Sequence, residues 1–286
     1  MPVEPPVDSP RSLAYAYALL ADMPGRPVAG GTDLLVQITG ELGEPPARVL
    51  DIWHLDELRG ISVEADALVL GALTTYTEIR RSPLVAEFLP ALGEAAATIG
   101  AVQIQNRGTI GGNAANASPA GDTLPLLLAC DAELVLGSSR GERTVAAGSF
   151  WPAYRRTALG PDELLLRIRF PLAADRQVRF RKVGTRRAQA ISKVVMALAW
   201  RADEGDHALW REVRLALGSV AATTIRASAT EAVLEGARPD ERTADRAAST
   251  LAGELNPIDD VRSSADYRRA VAARVLHRLL REAGGW

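Results

Sequence analysis

Cysteine is nearly absent from this chain: Cys130 is the only one in 286 residues. That excludes an intramolecular disulfide, and any iron–sulfur cluster or cysteine zinc site built by this chain alone. Histidine is almost as scarce. His54, His207 and His277 are scattered without ligand spacing. No run is long or apolar enough to span a bilayer. The first residues, MPVEPPVDSPRS, lack the basic start and apolar stretch of a signal peptide, so a cytoplasmic protein is expected. The formal net charge of −2 gives no electrostatic basis for binding nucleic acid.

A hydrophobic content of 47% with 24% charged residues is that of a globular protein, and the length favours two domains. Helix is expected over Ser12–Ala21, Asp33–Thr39, a short segment capped by Thr75 and Glu78, and Leu84–Ile99. Strand is expected at Arg26–Ala29, Arg48–Ile52, Ala67–Gly71, Glu133–Gly137 and Leu164–Phe170. Gln105–Ser118 reads as a loop, followed by a helix through Ala129 capped by Asp122 or Thr123. The texture then changes near Pro171–Asp175. Three strands, Gln177–Lys182, Lys193–Arg201 and Glu212–Val220, precede three helices, Ile225–Leu234, Arg242–Leu255 and Tyr267–Arg281. This order predicts an α/β first part, residues 1–173 with subdomains about 1–55 and 56–173, and a separate α+β domain over 174–286.

Two glycine pairs carry the chemistry. Val28, Ala29, Gly30, Gly31, Thr32, Asp33 and Leu34 set one pair between a strand and a helix start. Glycine allows positive φ and close backbone approach, and successive N–H groups in such a turn form an anion-binding concavity. The spacing is not that of a P-loop or GxGxxG. The second segment, Arg107–Asp122, contains Gly111 and Gly112 and is otherwise small and polar. Thr109, Asn113, Asn116 and Ser118 offer hydrogen bonds, and Asp122 an acceptor. A single glycine pair is common turn punctuation. Two together, the second so poor in bulky residues, point to a phosphate-bearing nucleotide cofactor.

AGGTDLL (Ala29–Leu35) and NRGTIGGNAANASPAGD (Asn106–Asp122) resemble the two FAD loops of the flavin subunits of molybdenum hydroxylases, which include xanthine dehydrogenase and the medium subunit of carbon monoxide dehydrogenase. LGALTT (Leu70–Thr75), GPDELLLRIRFP (Gly160–Pro171) and FRKVGTRRAQAISKVV (Phe180–Val195) extend the resemblance to nearly the whole chain, weakening beyond Ala222. It implies an α+β protein: a two-subdomain FAD-binding domain of the PCMH type, then a small domain with a three-stranded antiparallel sheet and helices. It places the FAD diphosphate on Ala29–Leu34 and Thr109–Asn113, and the ribityl or ribose region near Asp122. Leu165 and Lys193 match positions near the isoalloxazine ring, where a cation would raise the flavin's potential. The alternative for Lys193 is a strand-initial lysine facing solvent. Gln105 departs from the arginine that many relatives carry there.

The resemblance further implies a molybdopterin-binding large subunit and a 2Fe–2S small subunit as partners. Electrons would pass from the clusters through FAD to NAD or another acceptor. The Val183–Val195 stretch looks closer to the xanthine dehydrogenase branch. Two alternatives remain at this point: a self-sufficient FAD-dependent oxidase, and a non-catalytic nucleotide-binding module. Elsewhere, Cys130 reads as a buried small hydrophobe and His54 as a loop residue. Arg268, Arg269, Arg274, Arg278 and Arg281 read as a solvated helix face opposite Tyr267, Val271, Val275 and Leu279. Arg186 and Arg187 are surface charge or position a dinucleotide or partner.

Overall fold

The computed structural model describes residues 5–40, 44–186 and 189–286. Arg187 lies outside the described residues. Three sheets organise the chain. The first is parallel, with Val49–Asp51 between Val7–Asp8 and Arg26–Val28. The second has five antiparallel strands in the order Ile61–Glu64, Ala67–Gly71, Leu164–Pro171, Glu133–Ser138, Gly141–Ala146. Leu164–Pro171 takes its central place because LLLRIRF buries both faces for half its length. The third sheet is also antiparallel and runs Ile225–Arg226, Trp210–Gly218, Val194–Ala202, Gln177–Val183.

Three expectations change here. The third sheet has four strands: Ile225–Arg226 pairs with Ala216 and Leu217, and the helix begins only at Ser228. Leu84–Ile99 is two helices, Pro83–Phe88 and Pro90–Thr98. Pro90 has no N–H to donate and drives Leu89 out of the helical region, to φ −149° and ψ 63°. Gln105–Ser118 is not a loop throughout, for Val102–Gln105 and Ile110–Asn116 are helical. IGGNAAN has poor helix propensity. Its helix is held by burial of Ile110, Gly111 and Ala114 and by Thr109, whose hydroxyl accepts from the Gly112 amide at 3.0 Å.

The strand Val194–Ala202 joins the two halves. Val195, Ala197 and Ala199 belong to the core of the five-stranded sheet and its helices. Val194, Met196, Leu198 and Trp200 belong to the core beneath Ser228–Leu234, Glu241–Glu254 and Ala265–Gly284. This period-two alternation places the third sheet as a wall between the two cores. On Ala265–Gly284 the buried stripe is Ala272, Leu276, Leu279 and Leu280, while Tyr267 is exposed. Arg268 is buried, not solvated: its guanidinium donates to Asp260 at 2.7 Å and to the Ser219 carbonyl at 2.8 Å. Cys130 is buried, and desolvation pushes its thiol pKa up to about 12. No helix among the described residues is long and apolar enough to cross a membrane.

Candidate functional site

A cleft of about 1240 Å³ opens where the three sheets meet. That exceeds the roughly 300–1,000 Å³ of ordinary small-ligand pockets. Val28, Ala29, Gly30, Gly31, Thr32, Asp33, Leu34, Thr109, Gly111, Gly112, Asn113, Asn116, Ser118, Asp122 and Leu165 all line it. The structure thus brings together the two glycine segments, some eighty residues apart in sequence. Lys193 stands outside that lining, with its ammonium 4.9 Å from the Tyr267 ring centroid. Its backbone carbonyl accepts from Arg268, which does line the cleft.

The two glycine segments do different physical work. In the first, Gly31 has φ +76°, and the amides of Gly30, Gly31, Thr32 and Asp33 meet no hydrogen-bond acceptor among the described residues. Consecutive unpaired N–H groups in a turn form a cradle for anionic oxygens. In the second, the amides are already engaged: Gly111 donates to Ala72 at 3.0 Å, and Asn113 to Thr109 at 3.0 Å. This segment supplies closeness. A Cβ built on Gly111 would stand 2.6 Å from the Ala72 carbonyl oxygen, so the helix packs directly on the chain beneath it.

Side chains tie the segments together. Asn116 donates to Asp33 at 3.0 Å, and Arg155 donates to Asn116 at 3.2 Å. Thr123 donates to Asn113 at 2.6 Å. Outside the cleft, the Arg107 and Arg59 guanidinium carbons lie 3.7 and 4.5 Å from the Trp53 ring centroid. Arg107 is also the residue whose carbonyl abuts Gly30. Trp53→Ala is therefore expected to cost about 1–2 kcal/mol in a urea unfolding curve, with Trp53→Phe recovering part of it.

Asp122, at the cleft wall, is the centre of a buried polar cluster. Lys182 donates to its Oδ2 at 2.6 Å and to the Thr98 carbonyl at 3.0 Å, while the Ser192 hydroxyl donates to Oδ1. Burial holds the Asp122 pKa above the usual carboxylate range, with the Lys182 charge pulling against it. The sequence reading missed Lys182. Its signal was register: in QVRFRKV, Val178, Phe180 and Lys182 share a strand face, and Phe180 is buried. A lysine on the inward face of an alternating strand needs a buried anion. Ser192, Tyr76 and Arg155 also line the cleft, and nothing in the glycine motifs pointed to them.

A large cleft with an open amide cradle, set against a glycine segment that lets a ligand approach the backbone, is the site of a nucleotide-binding chain. The family described as "FAD binding domain in molybdopterin dehydrogenase" matches residues 6–173, and that described as "CO dehydrogenase flavoprotein C-terminal domain" matches residues 179–283. The carbon monoxide dehydrogenase medium chain of Hydrogenophaga pseudoflava is 32% identical over 284 residues, covering 96% of this chain and 95% of its own. The xanthine dehydrogenase FAD-binding subunit of Escherichia coli O157:H7 is 32% identical over 282 residues, with the same coverage of both chains. Among solved structures, carbon monoxide dehydrogenase from H. pseudoflava lacking the Mo-pyranopterin moiety superposes with TM-score 0.91 at 33% identity, covering 97% of this chain and 96% of its own.

The chain belongs to the family of FAD-binding subunits of molybdenum hydroxylases and is an oxidoreductase subunit. Its residues fit the flavin dinucleotide: four unpaired amides suit a diphosphate, and the cleft volume exceeds that of an ordinary small-ligand pocket.

Proposed function

We propose that this chain holds FAD across the cleft and relays electrons for a three-component molybdenum hydroxylase. The observation that carries this reading is the set of unpaired amides at Gly30–Asp33 in a cleft that the small residues of the second glycine segment also line. Those amides take the diphosphate. Thr109, Gly111, Gly112 and Asn113 let the cofactor approach the backbone, and Asn116 and Ser118 line its path. Asp122 accepts from a cofactor hydroxyl. Each of its oxygens has one donor from the protein, which leaves acceptor capacity toward the cleft. Leu165 gives apolar contact for the ring.

Bound FAD supplies a carrier that joins one-electron donors to a two-electron acceptor. The chain's own task is to fix and desolvate it. Lys182 lies behind the wall and orients Asp122 through a buried ion pair. Lys193, whose ammonium lies 4.9 Å from the Tyr267 ring centroid, is proposed to stand near the isoalloxazine ring on the strength of the family resemblance.

The donors are 2Fe–2S clusters on a small subunit, reduced in turn by a molybdopterin-binding large subunit where substrate is oxidised. Cys130, buried and alone, leaves both tasks to partners. A xanthine-like purine is the proposed substrate and NAD the proposed acceptor, and the compartment is the cytoplasm. Support for the substrate comes from the Val183–Val195 resemblance and the xanthine dehydrogenase relative. Purification of the tagged chain from its native host tests this. Flavin absorption with molybdenum- and iron-containing partners is the expected result. A lone flavoprotein that oxidises substrate unaided would overturn it.

A further inference from the structure

Arg155 sits on the segment between Ala147–Phe150 and Leu164–Pro171, and it lines the cleft. The fold fixes this segment closely. The Ala158 amide donates to the Phe150 carbonyl at 2.9 Å, and the Arg156 amide to the Ala153 carbonyl at 3.0 Å. The buried Trp151 indole donates to the Ala114 carbonyl at 2.9 Å, which pins the segment to the second glycine helix. Arg155 itself holds φ +51°, a left-handed conformation uncommon for a residue with a side chain. Its Nη1 donates to Asn116 Oδ1 at 3.2 Å, and Asn116 Nδ2 donates to Asp33 Oδ1 at 3.0 Å. One side chain thus ties the guanidinium to the carboxylate in the amide cradle.

Charge makes this placement informative. Asp122, Glu163 and Asp260, all on the cleft lining, are ion-paired with Lys182, Arg143 and Arg268. Asp33, the remaining carboxylate of the described lining, has no ion pair among the described residues. Burial pushes its pKa up, with the Arg155 charge and then the Asn116 hydrogen bond pulling against it. A diphosphate on the cradle adds its own negative charge beside that carboxylate, and backbone amides bring only partial charges to meet it. Arg155 is exposed and makes no ion pair among the described residues, where Nη1 alone of its nitrogens is hydrogen-bonded. Building on the FAD reading above, we propose that Arg155 is a cofactor-binding residue whose guanidinium donates to phosphate oxygens of the bound flavin dinucleotide. A planar fork of donors matches phosphate geometry, and its full charge offsets Asp33.

The test compares wild type, Arg155→Met and Arg155→Lys as full-length chains. Flavin fluorescence quenching gives the FAD dissociation constant from about 0.01 M to about 1 M ionic strength, over which the screening length falls from about 30 Å to about 3 Å. Thermal unfolding gives the stability of the flavin-free protein. Arg155→Met is expected to weaken FAD binding about tenfold or more at low ionic strength, with the difference shrinking as salt rises. Arg155→Lys keeps the charge without the fork and should fall between the two. The flavin-free melting temperature should stay at the wild-type value. An unchanged dissociation constant, or a loss equal at every ionic strength, overturns the assignment, because the side chain then meets no phosphate. So does a loss matched by a lower flavin-free melting temperature, which marks a structural role. Failure of the wild-type chain itself to bind FAD overturns the cofactor reading on which the assignment rests.

Discussion

Gly30→Ala is expected to yield protein without flavin, with FAD affinity reduced at least about 100-fold, equivalent to about 2.7 kcal/mol. The cause is contact, not chain flexibility. A Cβ on Gly30 would stand 1.7 Å from the Arg107 carbonyl oxygen and 2.4 Å from its carbon. No side chain can yield there, because both atoms are backbone. The first glycine segment must therefore move away from the second, and its four amides leave the cleft wall. The C-terminal core is remote from this contact, so the near-ultraviolet signal of the stacked Trp200 and Trp210, 4.3 Å apart, should persist. Retention of FAD at wild-type affinity would refute the close packing of the two segments as the basis of binding.

Lys182→Met is expected to cost about 3–5 kcal/mol of unfolding free energy near neutral pH, because it leaves the buried Asp122 carboxylate without its counter-ion. The loss should depend on pH in a defined direction. The native Asp122 pKa lies above its unfolded value, so the native state holds the proton more tightly. The stability this contributes is present below the unfolded carboxylate pKa and is lost as pH rises to the native value. Removing Lys182 raises the native value further and widens that window upward. The variant should then approach wild type at acid pH and fall away from it toward neutrality. Urea denaturation across that range measures the effect, and adding Asp122→Asn should restore most of the loss. A variant equally destabilised at every pH would show that Lys182 acts by packing alone.

Much of the cleft could be read from the sequence because its determinants are local. Gly30, Gly31, Gly111 and Gly112 advertise backbone behaviour through residue type, and each lies on the cleft wall. The strand Ala67–Gly71 and the Thr75–Glu78 cap were equally visible, since pattern and spacing suffice for both. What was hidden depends on contacts distant in sequence. The helix Ile110–Asn116 exists against its own propensity because Ala72 and neighbouring core residues accept it. Ile61–Glu64 and Gly141–Ala146 are largely exposed edge strands of the second sheet, so their sequences carry little burial pattern. Arg268 resembled its neighbours on a basic helix, and only the Asp260 turn packed above it explains its burial. Lys182 was missed for the same reason: its partner Asp122 lies sixty residues away in sequence.

The strand Val194–Ala202 contributes alternate residues to two cores. The halves of this chain are consequently not interchangeable modules. Cutting near residue 174 would strip Phe180, Val195, Ala197 and Ala199 from the first core and leave a greasy scar on each fragment. A cleft mounted on such a shared wall cannot be opened by hinging one half freely from the other without exposing that seam to water.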